Sequence, residues 1–324
     1  MRVRPALKPL KPLMTLMPLL GPLVLLASIP LALVSVSCRQ AEDIAPAVPR
    51  RIIAVAPGIV ESLFALDLGA RVVGVGNYAH WPVEVEALPR IGGLYDPRYE
   101  TIATLEPDLA ILVPSEAELE QALERLGVEV MIVPHESLAD IETAISRIAE
   151  RAGVAERGER LVEELRRGLR ARVEPLEARV LLSVARQPSR AGEIYAAGPN
   201  TFLGELLSRL GATNAASDFG QLYPRLGFEE AVLRAPDVVL ELQPEPVAPE
   251  DEAAWTRDWR HVAGDNAPCV KVVDGSHVLL PGPRVAELYR DLEAALVSCG
   301  VGGGKRPLAE VAEVPEAVDV ETGC

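Results

Sequence analysis

Histidine and cysteine are scarce in this chain, and each scarcity removes a class of function. Four histidines, His80, His135, His261 and His277, are spread over 324 residues with no histidine-rich loop. A receptor for a bare zinc or manganese ion needs several His and carboxylate ligands converging on one point, so that reading stands second here. The four cysteines, Cys38, Cys269, Cys299 and Cys324, nowhere adopt the CxxC spacing of a zinc ribbon or redox site. In an exported chain Cys269 and Cys299 either pair or remain free buried thiols, and their spacing does not choose between the two. No glycine-rich phosphate loop is present: Gly74-Val75-Gly76 lacks a third glycine and ends a strand pattern instead of opening a helix. Ser62 and Ser115 lie outside any GxSxG turn, and no His and Asp stand in a recognisable triad order. No catalytic residue and no cofactor is therefore assigned. A formal net charge of −15 argues against a nucleic-acid partner, which would need a basic stripe.

What is present begins with an export-type leader. Arg2, Arg4, Lys8 and Lys11 give a basic start, and no charged residue follows until Arg39. The run between is long enough to cross a bilayer. Its prolines at 12, 18, 22 and 30, with small residues ahead of Cys38, favour a cleaved signal instead. Ser35-Val36-Ser37-Cys38 resembles the lipobox of bacterial lipoproteins, with Ser35 where Leu is usual. Cys38 is the expected lipidation site, residues 1–38 the signal, and residues 39–50, rich in Ala and Pro, a tether.

From Arg51 a strand-helix alternation sets in. Ile52–Val55 is a β-branched apolar run, Pro57-Gly58 a turn, and Val60, Leu63, Phe64 and Leu66 mark one side of a helix, with Glu61 on the other. Val72–Val75, Leu109–Val113 and Val128–Val133 read as further strands, and 116–126 as a helix. This order predicts a mostly parallel sheet covered on both faces. Ser137 and Asp140 form a capping-box pattern. Ile141, Ile145 and Ile148 follow, then Gly153, then a stripe of Leu161, Leu165, Leu169 and Val173 ending at Pro175. Alternation then resumes: strands at Val180–Val184 and Val238–Leu242, helices at 201–210, 228–233 and 284–297, and a hairpin-like Asp274-Gly275 between 270–273 and 277–280. The phrase "Pro-Asp, then buried strand" occurs in both halves, at Pro107-Asp108 and Pro236-Asp237.

Five phrases together carry a resemblance: PGIVESLFALDLGARVVGVG, LPRIGGLYDPRYETIATLEPDLAIL, YAAGPNTFLGELLSRLGATNAA, YPRLGFEEAVLRAPDVVL and PGPR. The chain resembles the substrate-binding proteins of bacterial ABC importers whose lobes are joined by one long helix, a family of cobalamin, ferric siderophore and haem receptors. The resemblance implies an α/β fold of two Rossmann-like lobes with mostly parallel sheets, joined by a long backbone helix, with a ligand cleft between them. The lobes are expected at 51–136 and 176–298, the connecting helical region at 137–175 and a tail at 299–324. It implies a permease and its ATPase as partners and a metal chelate as cargo. Other readings are a metal-ion receptor of a related type and a lipid-tethered enzyme or sensor on the same fold.

Ligands of parallel α/β sheets bind beyond the carboxyl ends of the strands. Aromatic residues are only 4% of the chain, so their gathering in strand-end segments stands out. The expected ligand contacts are Pro57, Tyr78, Trp81 and Tyr95 from the first lobe and Tyr195, Tyr223 and Arg225 from the second. Flat apolar faces with polar tips suit a corrinoid or porphyrin, and the shortage of clustered cations in these loops favours cobalamin. His80 lies in one of these loops, where it reads first as a solvent-exposed loop histidine and second as an axial ligand to a chelated metal. The resemblance assigns Glu61 and Glu229, as exposed rim carboxylates, to docking on arginines of the permease, with Glu230 as the neighbour one register away.

Overall fold

A computed structural model of the chain describes residues 47–93, 95–114, 116–186 and 192–302. The leader with Cys38, and also Leu94, Ser115, Gln187 and the tail beyond residue 302, lie outside the described residues. Among the described residues no helix is long and apolar enough to cross a membrane.

The first lobe is a four-stranded parallel sheet in the order β2-β1-β3-β4. Its strands are β1 (Ile52–Ala54), β2 (Val72–Val75), β3 (Leu109–Leu112) and β4 (Glu129–Ile132). Between them lie α1 (Pro57–Ala65), α2 (Tyr99–Thr104) and α3 (Ala117–Arg125). Proline at the first position of α1 is pre-set for a helix start, where its missing N–H costs nothing. Successive strand residues face opposite sides. Ile52, Ala54, Leu109 and Ile111 therefore join one core, while Ile53, Ala110 and Leu112 join another on the far face.

The second lobe has the sheet order β10-β9-β5-β6-β8, with β7 pairing β5. The strands are β5 (Arg179–Arg186), β6 (Ile194–Ala196), β7 (Thr213–Asn214), β8 (Arg225–Leu226), β9 (Val238–Gln243) and β10 (Cys269–Asp274). The helices are α6 (Phe202–Arg209), α7 (Phe228–Leu233), α8 (Pro249–Ala263) and α9 (Val285–Ser298). Here β5, β9 and β10 run parallel, but β6 is antiparallel to both β5 and β8, so the sheet is mixed. Asp274-Gly275 does not turn a hairpin: β10 pairs in parallel with β9, and residues 276–279 form a turn. Cys269 and Cys299 are joined by a disulfide, Cα to Cα 5.9 Å, which pins the end of α9 to the start of β10.

The repeated Pro-Asp phrase has one structural job in both lobes. Asp108 accepts the backbone N–H groups of Arg50 and Arg51 at 2.7 and 2.9 Å, and Asp237 accepts that of Arg179 at 2.8 Å. Each carboxylate thereby ties its strand to the entry of the neighbouring strand. The residue before each proline, Glu106 or Ala235, takes a positive φ of 44° or 45°. Thus β3 with α2 in the first lobe corresponds to β9 with α7 in the second.

Two helices, not one, join the lobes. They are α4 (Leu138–Arg151) and α5 (Ala155–Gly168), each of 14 residues and therefore about 21 Å long. Gly153, at φ +71°, ends the first run and lets the chain reverse. The two helices pack closely because a Cβ on Gly158 would collide with Ala149. Ser137 and Asp140 close the capping box at the start of α4. That end meets the second lobe, where Glu205 accepts the N–H of Leu138 at 3.0 Å and Phe202 donates to the carbonyl of Glu136 at 2.7 Å. The turn after α4 meets the first lobe through Arg71 on Ala152 O (2.8 Å) and Arg157 on Leu66 O (3.1 Å). Helix α5 then returns to the second lobe, where Arg209 reaches Leu169 O at 3.1 Å. Val173, expected on the helical stripe, is 98% exposed beyond the end of α5. One apolar core runs through both lobes, from Ile52 and Leu63 through Ile145 and Val162 to Leu206 and Leu292.

Candidate ligand-binding face

In the first lobe the expected residues gather in two adjoining segments. The segment after β2 carries Tyr78 and Trp81, and the turn at 92–98 carries Tyr95. Gly92, at φ +100°, sits against the Asp96 backbone where no side chain would fit. Asp96 closes the turn by accepting the N–H of Gly93 at 3.0 Å. The Tyr78 ring lies against Gly93. Tyr78 and Tyr95 are 76% and 94% exposed, a large outlay of aromatic surface for a chain so poor in it. Arg90 holds the segment from beneath, donating to the carbonyls of Gly76 and Ala79 and pairing with Glu86 at 2.6 Å. His80 Nδ1 meets Glu86 at 2.7 Å. Pro57 is half-buried at the start of α1. Trp81 turns its face to the guanidinium of Arg284, 4.6 Å from the ring centroid.

In the second lobe Tyr195 on β6 and Arg225 on β8 stand directly opposite each other, and Tyr223 precedes Arg225. Directly opposed residues share a sheet face, so Tyr195 and Arg225 form one patch. Arg225 is held by Glu193 at 3.1 Å. Partial burial and the nearby charge of Glu136 push the Tyr223 phenol up to about 12, so it remains a hydrogen-bond donor. The expected residues thus form two groups, one on each lobe, and among the described residues no aromatic pair links them. Nor do the described residues hold any group of three His, Cys, Asp or Glu placed to grip a metal ion.

The family model for periplasmic binding proteins matches residues 52–252, well over half of the chain. The chain belongs to the periplasmic binding protein family. It is 26% identical over 265 residues to the ABC transporter substrate-binding lipoprotein YvrC of Bacillus subtilis (strain 168), covering 76% of this chain and 80% of that one. It is 28% identical over 193 residues to a vitamin B12-binding protein of Vibrio campbellii, covering 59% of this chain and 70% of that one. Among solved structures, the apo form of the periplasmic heme-binding protein RhuT from Roseiflexus sp. RS-1 matches with a TM-score of 0.62 and 27% identity, over 77% of this chain and 98% of that one.

One expectation for this periplasmic binding protein is corrected by its structure. Glu61 is not an exposed rim carboxylate: it is 2% exposed, on a fully packed turn of α1. Arg284 grips it with two donors, Nη2 on Oε1 and Nε on Oε2, the latter at 3.1 Å. Burial pushes the Glu61 carboxyl up, and the Arg284 hydrogen bonds and charge partly oppose that rise. Ser276 accepts from the same guanidinium at 3.2 Å. Glu229 and Glu230, by contrast, are exposed in the first turn of α7. The first-lobe equivalent of α7 is α2, not α1. Glu229 stands seven residues before Pro236, and the residue seven before Pro107 is Glu100, exposed in the first turn of α2.

Two further groups went unread in the sequence. Arg284 belongs to the PGPR phrase, yet nothing local shows that its partner lies 223 residues away. Glu241, fully buried on β9, meets Arg186 at 3.3 Å, and Arg186 also binds Asp258 at 2.7 Å under the Trp255 and Phe228 rings. Burial pushes the Glu241 carboxyl up. Arg186 therefore points into the lobe and is occupied there. Only the carboxylate inside the otherwise apolar run VVLELQ hinted at this network.

Proposed function

We propose that this protein is the extracytoplasmic substrate-binding component of an ABC importer, that it captures a metal chelate, and that it delivers the chelate to a permease and its ATPase. The observation that carries the reading is the pair Tyr78 and Tyr95, both strongly exposed on strand-end segments of the first lobe. Soluble proteins rarely leave clustered aromatic faces in water without a binding role. Tyr195, Tyr223 and Arg225 supply a second surface on the other lobe. Cobalamin is the favoured cargo, ahead of haem and ferric siderophores. The loops offer aromatic faces and phenols, while the nearby arginines are largely committed: Arg186 to Glu241 and Asp258, Arg225 to Glu193, Arg284 to Glu61. The vitamin B12-binding and heme-binding relatives support a tetrapyrrole-type cargo.

Calorimetric titration of the mature chain with cyanocobalamin, haem and a panel of ferric siderophores tests the reading. One-to-one binding of an intact chelate is expected, weakened about tenfold or more by Tyr78→Ala or Tyr95→Ala, the scale of one well-placed aromatic contact. No binding across the panel, with tight binding of free zinc or manganese, overturns it. The membrane tether is proposed at Cys38. Cys38→Ala releases the chain from the membrane fraction with chelate binding intact, and absence of an acyl group on Cys38 by mass spectrometry refutes the tether alone.

A further inference from the structure

The Glu61–Arg284 pair joins the two lobes. Glu61 lies on α1 of the first lobe, and Arg284 stands at the entry to α9 of the second. The backbones meet beside it: a Cβ on Gly58 would fall 2.2 Å from the carbonyl oxygen of Pro281, and one on Gly282 would fall 3.2 Å from Gly58. Glycine at both positions permits this approach. Arg284 is therefore fixed by protein contacts alone, whatever the protein carries. Its Nε, Nη1 and Nη2 donors are taken by Glu61 and Ser276. To Trp81 the guanidinium offers its charge and its surface, with Cζ over the ring at 4.6 Å from the centroid. Trp81 belongs to the first-lobe segment that also presents Tyr78, and it remains 39% exposed. One face of the ring rests on Arg284, and the rest of the ring stays open.

We propose that Glu61 and Arg284, one from each lobe, are positioning residues for cargo capture: they hold the Trp81 ring as a fixed wall of the ligand-binding surface. The inference rests on the chelate reading above. An indole seated in advance loses less side-chain freedom when a flat cargo stacks on it, so its contact contributes more to affinity. Neither Glu61 nor Arg284 touches the chelate, and their influence on binding runs through Trp81. A second-lobe arginine thereby sets a first-lobe aromatic contact, and one ion pair fixes both the lobe contact and part of the binding surface.

Tryptophan occurs in this chain only at positions 81, 255 and 259, which makes the ring easy to follow. Acrylamide quenching of the cargo-free protein, less that of the matching Trp81→Phe chain, reads Trp81 alone. In Glu61→Gln and in Arg284→Lys the Trp81 quenching constant should roughly double, because neither an unpaired arginine nor a lysine seats the ring. Arg284→Lys keeps a cation beside Glu61 and carries the test should Glu61→Gln unfold. Calorimetric titration with cyanocobalamin, haem and the siderophore panel reads the cargo. Both variants should bind the chelate about fivefold more weakly, the scale of one cation–aromatic contact. In a Trp81→Ala background the same substitutions should change affinity by less than about twofold, since the residue they act through is gone. A general loss of stability would weaken binding in both backgrounds alike. Equal weakening in both, or unchanged Trp81 quenching, overturns this inference alone. Failure of the unmutated protein to bind any of the chelates overturns the cargo reading, and this inference with it.

Discussion

Glu61 and Arg284 satisfy each other inside the protein, and a buried charge deprived of its partner is expensive. Glu61→Ala leaves the Arg284 guanidinium buried over Trp81 with only Ser276 to receive it. The expected loss is about 3–5 kcal/mol of unfolding free energy in urea, with a smaller loss for Glu61→Gln. A loss below about 1 kcal/mol would mean that the pair is solvated. The buried carboxyls also set a pH dependence. Burial raises Glu61, Glu116 and Glu241 above the ordinary 4.5. The folded state then holds these protons more tightly than the unfolded chain. Their contribution is full below 4.5 and is lost as pH climbs through the folded values. The urea midpoint should therefore decline over that range, and Glu241→Gln should flatten the decline. At this scale the exposed aromatics were legible, because loop position alone predicts exposure. The Glu61 partner was not, because pairing across 223 residues leaves no local trace.

Secondary elements follow the sequence most closely where periodicity is strong. β2, α3, α7 and the capped start of α4 fall within a residue or two of their patterns, since each is fixed by local alternation, stripe or cap. The misreadings have physical reasons. Gly153 reverses the connecting helix instead of merely interrupting it, and the reversal is stabilised by the Gly158–Ala149 contact, which only packing reveals. Strands β6, β7 and β8, of two or three residues, are too short to show alternation. Helix α8 hides because its charged surface surrounds a single buried anchor, Trp259. The disulfide was one of two open options and is formed. It closes 30 residues, so the Cys269→Ser, Cys299→Ser variant should lose about 3–4 kcal/mol by the chain-entropy scale. Equal urea midpoints for reduced and oxidised protein would contradict that value.

The whole molecule is built from two unequal copies of one idea, and the internal correspondence locates its outer contacts. Glu100 and Glu229 occupy matching first turns of α2 and α7, both exposed, and are proposed as the paired carboxylates that meet arginines of the permease. Glu100→Ala with Glu229→Ala should leave chelate affinity within about twofold and reduce uptake by reconstituted transporter about tenfold, with added salt reproducing part of the loss. Undiminished uptake would move docking elsewhere. The paired struts α4 and α5 and the apolar core shared by both lobes resist hinge motion. Chelate loading should leave the radius of gyration by X-ray scattering unchanged within error, whereas a flexible two-strand hinge would contract it. A container that hardly changes shape on filling cannot use its own closure to signal that it is full or to expel what it holds. The work of emptying it has to come from the machine it docks on, and two stiff struts give that machine something firm to push against.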